Sequence, residues 1–420
     1  MKRWQIVALV IVVVLGLSGM GVARFLMPYE LEDEIKLARA QGVPTTVAEC
    51  YPVIPPDQDA VPDYERAEGL VKGFWTPDLD KARESLSAPG GPSHAQVVKL
   101  KAAFDKDNGY LAAIHAAAAK RGCAFHAVKG ENGVMLFPKM INYSDALKTL
   151  CDEANLQMWE GKPVDAAMTL RLGLNVANHP HALNAFIGAM DGDGMNSIVD
   201  DRYRKLLLKD GANAEVDRVV RDSLRSSLAA CDISHTLSGE VALEDWAFRS
   251  GYWSPRQPFY KSVYYKAQVA AAIHWRRKEI IASRVPPERQ RAAIQGVMDE
   301  FGRESRGNPV IKAGGEFLPF TLRTMDILDN EAARRRTVYA AACVLEYKVR
   351  TGTYPASLSQ AVQPVPINPF SHAPLVYKRT STGFALISAE ASRRWAIKSS
   401  PRSRNDTEFA YPGPVVPSYH

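Results

Sequence analysis

From about Asp63 to Asp329, apolar residues recur at three- and four-residue intervals, the spacing of helices with one buried face. Tyr64, Ala67, Leu70–Val71 and Phe74 open the series, and Val97–Val98, Leu100, Ala103–Phe104, Leu111 and Ile114 continue it. Between Cys123 and Phe137 the pattern breaks around Gly130 and Gly133, which predicts a long connection or a small hairpin. The clearest unit spans 143–178: a helix through Leu156 and Trp159, a turn at Glu160-Gly161-Lys162-Pro163, and a second helix over Val164–Asn178. Further helices are predicted near 182–208, 213–235, 258–283 and 286–304.

The two ends of the chain follow other patterns. Trp4–Ala23 is uncharged and apolar, and as a helix it would be roughly 30 Å long, enough to span a bilayer core. Lys2 and Arg3 precede it and only Arg24 follows closely, so the positive-inside rule keeps the N-terminus cytoplasmic and exports the body. The competing reading is a cleaved signal peptide ending at Gly21-Val22-Ala23; the length of the run favours a retained anchor. Pro28 can open a helix carrying Leu31, Ile35 and Leu37–Ala38, which Gly42 and Pro44 end; the prolines of 44–62 then suggest an extended stalk. Near the other end, a strong helix begins about Asp329, with Val338, Ala341–Ala342, Leu345 and Val349 on one face and Gly352 at its C-terminus. A short helix at 357–362 follows, then strand-like runs Leu375–Lys378 and Gly383–Ser388 joined as a hairpin by Arg379-Thr-Ser-Thr. The expected division is a transmembrane anchor (1–27), a juxtamembrane helix and stalk (28–62), an α-helical body (63–328), an α/β module (329–398) and a loose polar tail (399–420). The fold class is therefore mainly α.

Composition changes this picture little. Of 420 residues, 46% are hydrophobic and 23% charged, ordinary values for a chain that buries a core. A net charge of +6 is mild at this length and argues against nucleic-acid binding, while permitting contact with anionic lipid or wall polymer. Five cysteines at 50, 123, 151, 231 and 343 form no C-x-x-C pair and read mostly as small buried residues.

Three C-terminal segments carry a resemblance. The stretch 341–355 contains Tyr347-Lys348 and then Gly352-Thr353-Tyr354-Pro355; Asn368-Pro369-Phe370 leads to Pro374-Leu375-Val376-Tyr377; and Gly383-Phe384-Ala385-Leu386-Ile387-Ser388 follows. Together they resemble the C-terminal module of a set of uncharacterised membrane-anchored bacterial proteins, which is itself similar to the globular part of type II secretion pseudopilins. The Arg39–Glu49 segment and the 143–178 hairpin match the same set, and the hairpin looks like one tetratricopeptide-type unit. The resemblance implies a small antiparallel sheet after the helix and a place in the bacterial inner membrane with the body outside. It implies no activity. Unlike a pseudopilin, the chain has Met1-Lys2-Arg3-Trp4 where a processing motif would stand, and Asn368 replaces the usual aspartate, which weakens a metal loop there.

Candidate chemistry is sparse. His179, His181, Asp191 and Asp193 are the densest set of potential ligands, but a His-Pro-His turn reads first as surface, and Met195, Asn196 and Arg202 break an EF-hand register, so no metal is assigned. Glu240, Glu244 and Asp245 lie at helix spacing and could serve acid–base chemistry, though a solvated acidic face is the simpler reading. The aromatic stretch Trp253, Phe259, Tyr260, Tyr264, Tyr265, His274 and Trp275 could form a glycan- or peptide-binding strip, and reads first as core. The runs Trp275-Arg276-Arg277-Lys278 and Arg334-Arg335-Arg336 are read as solvated helix faces, with contact to a membrane surface or wall polymer as the sharper option. No nucleotide-binding, zincin or hydrolase-elbow motif is present, so no catalytic residue and no cofactor are assigned. The preferred expectation is a membrane-tethered binding or scaffolding module with a protein partner in the envelope. An envelope hydrolase using Glu240 and Glu244 and a secretion-system component are the alternatives.

Overall fold

The computed structural model describes residues 28–50, 53–86, 91–124, 128–129, 135–136, 140–182, 185–211, 213–228, 233–249, 259–315, 318–387 and 408–411. The apolar run Trp4–Ala23 lies outside the described residues, and no helix among them is long and apolar enough to cross a membrane.

The chain is mainly helical, as its periodicity predicts. The described part opens with α1 (Leu31–Ala40), whose first turn carries Glu32, Asp33 and Glu34 against the positive helix terminus. Then come α2 (Val47–Cys50), α3 (Val61–Phe74), α4 (Pro77–Ser85), α5 (His94–Asp105) and α6 (Tyr110–Ala119). A reciprocal Ser93–Gln96 capping box starts α5. Of the two readings of the break after Cys123, the structure has the hairpin, β1 (Val128–Lys129) paired antiparallel with β2 (Met135–Leu136). The helices α7 (Met140–Trp159) and α8 (Pro163–Asn178) follow; Gly161 at φ +73 turns the chain between them, a conformation L side chains resist.

After a 3₁₀ turn (His179–Ala182) come α9 (Phe186–Asp210), α10 (Ala214–Arg225), α11 (Ile233–Arg249), α12 (Phe259–Ser283), α13 (Pro287–Glu304) and α14 (Pro309–Gly314). The longest helix, α15 (Pro319–Thr351), ends at Gly352 in the left-handed conformation, where the sequence places its terminator. The short α16 (Leu358–Ala361) leads to β3 (Val376–Arg379), β4 (Phe384–Ile387) and β5 (Glu408–Tyr411).

The β3–β4 hairpin forms as expected, with Val376 opposite Ile387 and Arg379 opposite Phe384. The third strand was not expected. Glu408–Tyr411, assigned from composition to a loose tail, pairs antiparallel with β4, Phe384 facing Tyr411. Phe409 is buried and stacks on Phe384 at 5.8 Å, and Tyr411 stacks on the same ring at 6.0 Å, so two aromatic residues hold this strand to the sheet. Tyr377 donates its hydroxyl to the Pro355 carbonyl at 2.9 Å, tying the sheet to the Tyr-Pro segment after α15.

Among the described residues, the two largest apolar clusters position the site. The larger joins α3, α6, α7, α8, α9 and α10 to the sheet through residues such as Leu147, Leu170, Val199, Val220 and Leu386. The second packs Leu31, Ile35 and Ala38 of α1 against Ile233, Leu237, Val269 and Ile273. Helix α1 thus packs into the body, and so does part of the segment 44–62 read as an extended stalk: the Cys50 thiol meets the Ser238 carbonyl, and buried Ala60 bonds the Gly122 carbonyl. Helix α15 belongs to both cores, with Met325 and Leu328 in the second and Val338 to Leu345 in the first. The expected division at 328/329 therefore falls inside one continuous helix. Helix α9 does the same, with Phe186 against the second core and Met195, Val199 and Tyr203 in the first. The seam between the cores is where α9 and α15 face each other.

Candidate functional site

Along the seam face of α9, Asp193, Asn196 and Asp200 follow one another at i, i+3 and i+7, so all three project the same way. On α15, Glu331 and Arg335 are separated by one turn and meet them. Arg335 Nη2 lies 2.6 Å from Glu331 Oε1, and its Nε lies 3.5 Å from Asp200 Oδ2. Asp200 is fully buried, and neither of its oxygens accepts an aligned hydrogen bond. Burial pushes its carboxyl up to about 6, with Arg335 opposing the shift.

His181 reaches this group from the 3₁₀ turn. Its Nε2 lies 3.6 Å from Asp193 Oδ1 and 3.2 Å from Asn196 Nδ2, which also donates to Asn178 Oδ1 at 3.3 Å. Burial, with Arg335 nearby, lowers the imidazole to about 4, so it is neutral at pH 7. Burial raises both Asp193 and Glu331; the two carboxyls adjoin, and Glu331 in its protonated form can donate to Asp193. His181, Asp193 and Glu331 each bring a ligand atom within 4.8 Å of the others. All three line a cavity of about 270 Å³ that Asn178, Leu228 and Arg335 help to close.

Leu328 belongs to the wall of this cavity and to that of a larger groove of about 960 Å³. The groove is built from the end of α12, from α13, from α15 and from the turn at Pro369–His372. Asn368 organises that turn: its side chain accepts from the Phe370 N–H at 2.9 Å, and its backbone bonds Ala373 and His372. The groove's arginines are tied into the protein. Arg291 pairs with Asp326 at 2.8 Å and Asp329 at 3.0 Å, Arg284 holds the Gln41 and Gly42 carbonyls, and Arg336 holds the Ile367 carbonyl at 2.7 Å.

Of the ligand set read from sequence, the structure assembles only His181 and Asp193. His179 is a satisfied core histidine, accepting from the Tyr64 hydroxyl at 2.8 Å and donating to the Lys120 carbonyl at 3.0 Å. Asp191 is exposed. Glu331, far along the chain, supplies the third group.

Glu240 is not on a solvated face. It accepts from the Phe186 N–H at 2.7 Å, satisfying the start of α9, and Arg276 lies near enough to counter the rise that burial imposes on its carboxyl. It lines neither cavity. The side chains of Glu244 and Asp245 lie outside the described residues, as does Trp253. Of the aromatic strip, Trp275 is fully buried, with Phe301 edge-on at 5.4 Å, while Tyr264 is exposed.

The basic runs are a correction as well. Arg276, Arg277 and Arg335 are buried rather than solvated, because each neutralises a buried carboxylate. Arg276 donates to Glu279 at 2.7 Å and to Thr321 at 2.9 Å, and Arg277 to Glu34 at 3.1 Å. A helical pattern marks apolar faces, and it does not say which charged residue will meet a charge from another helix. Cys50, Cys123, Cys151 and Cys343 are buried, as composition suggested.

No protein-family model, no curated protein and no solved structure matches this chain.

Proposed function

We propose that the protein is a membrane-tethered binding module that holds an extended segment of an envelope protein in the groove between α12, α13, α15 and the Pro369–His372 turn. One observation carries this reading: a concave surface of about 960 Å³, with both apolar and polar walls, assembled from segments far apart in the chain. Its arginines are committed to internal partners, so the walls are preorganised, which lowers the entropy cost of binding. Apolar wall residues such as Val285, Met325 and Phe370 offer burial, and Ser234, Gln295 and His372 offer hydrogen bonding. The tether rests on the uncharged run Trp4–Ala23 behind Lys2 and Arg3. The hydrolase alternative loses support, because Glu240 is spent on capping α9.

Site-specific photo-crosslinking in intact membranes tests this. A photoreactive residue at Gln295, on the groove wall, should give a discrete protein adduct; one at exposed Glu215 on α10 should not. Ala292→Trp, which fills the groove, should abolish the Gln295 adduct. Equal labelling from both positions, or an adduct indifferent to Ala292→Trp, would sink the proposal.

A further inference from the structure

We infer that His181, Asp193 and Glu331 bind one divalent first-row metal ion, Zn²⁺ or Mn²⁺, at the seam between α9 and α15. The inference is independent of the groove and goes beyond the binding role proposed for it. Three side chains from separate parts of the chain place ligand atoms within 4.8 Å of one another, which a single ion can bridge. They also line one cavity of about 270 Å³, so water can complete the coordination shell.

The second observation lies in Asp193 itself. It is only 3% exposed, and its Oδ2 has no hydrogen-bond donor. A buried carboxylate oxygen without a partner is costly, and protein interiors rarely leave one. Arg335 acts on it only at longer range, its close ion pairs being with Glu331 and Asp200. A cation at the cavity floor would satisfy Asp193 and neutralise the pair that it forms with Glu331.

The surroundings resemble a supporting shell. Arg335 lies 2.6 Å from one Glu331 oxygen, and Asn196, bonded to Asn178, points its amide at the same imidazole nitrogen that faces Asp193, a contact the ion would replace. Gly192 makes room for the ring: a Cβ there would come within 2.5 to 2.8 Å of three imidazole atoms. Gly192 thus has a reason that is unrelated to a calcium loop. One imidazole nitrogen with two carboxylates suits Zn²⁺ or Mn²⁺ better than Ca²⁺ or Mg²⁺, which favour all-oxygen shells.

Isothermal titration of the full-length, chelator-stripped protein in detergent, with ZnCl₂ and MnCl₂, tests the site. One ion per chain is expected, with affinity falling at least about tenfold in Asp193→Asn and Glu331→Gln and unchanged in the surface variant Asp145→Asn. Should the site variants fail to fold, X-ray absorption of the zinc-loaded wild-type protein decides, with one histidine nitrogen among oxygen ligands expected. No stoichiometric binding by the wild-type protein, undiminished affinity in both folded variants, or a shell containing sulfur or several histidines would overturn the assignment.

Discussion

Gly192 and His181 share a space that one methyl group would fill: a Cβ at 192 would lie 2.5 Å from the imidazole Nε2. Two residues on, Gly194 sits on the exposed face of the same helix with nothing near its Cβ position. Identical substitutions should therefore have opposite effects. Gly194→Ala should stabilise the protein by about 0.5–1 kcal/mol through helix propensity alone. Gly192→Ala gains the same propensity but must displace a largely buried ring, and should be net destabilising by about 1–2 kcal/mol. Denaturant melts of the two variants check this, and a stabilised Gly192→Ala would mean that the ring does not occupy that space.

The third strand makes a prediction about the tail. Phe409 is buried against Phe384 within the larger core, although composition assigns its segment to a loose end. Phe409→Ala should cost about 3–5 kcal/mol, the range for emptying a buried aromatic site. Truncation before Glu408 should cost at least as much. A truncated chain that melts at the wild-type midpoint would show the strand to be dispensable.

Stability should depend on pH through Asp217. This residue is fully buried on α10 and neither of its oxygens has a hydrogen-bond partner; burial, reinforced by Glu346, pushes its carboxyl up to about 8. In the unfolded chain the group titrates near 4. Between those limits the folded state binds the extra proton, so stability falls as pH rises, by at most about 1.4 kcal/mol per unit. Asp217→Asn should flatten this slope and leave the variant more stable than wild type at pH 8. Parallel melts at pH 5 and pH 8 read the difference.

Glu240 should behave as a structural cap. Glu240→Ala removes the acceptor for the Phe186 N–H and a countercharge to buried Arg276, and should destabilise by about 3 kcal/mol. Glu240→Gln keeps an acceptor and should cost less than half of that. If both variants melt like wild type, the cap has no energetic weight, and a chemical role for Glu240 becomes worth testing.

Much of the secondary structure was legible in the sequence, because helix periodicity and turn chemistry are local. Gly161 between α7 and α8, Gly352 at the end of α15 and the hairpin around Arg379 each act through a few neighbouring residues. The seam site was only half legible. His181 and Asp193 stood out as potential ligands, and the spacing of Asp193, Asn196 and Asp200 on an otherwise apolar face was a usable signal. Their meeting with Glu331 and Arg335 depends on how α9 and α15 cross, which no local pattern encodes. The same reason explains Arg276 and Arg277: a charged side chain is buried only when tertiary packing brings it a partner. Sequence by itself determined that the chain is helical and where several helices end, but it started α15 near Asp329 rather than at Pro319 and ran one helix over 213–235 where α10 stops at Arg225. Tertiary structure decided which polar residues left water, because that depends on charges contributed by distant parts of the chain.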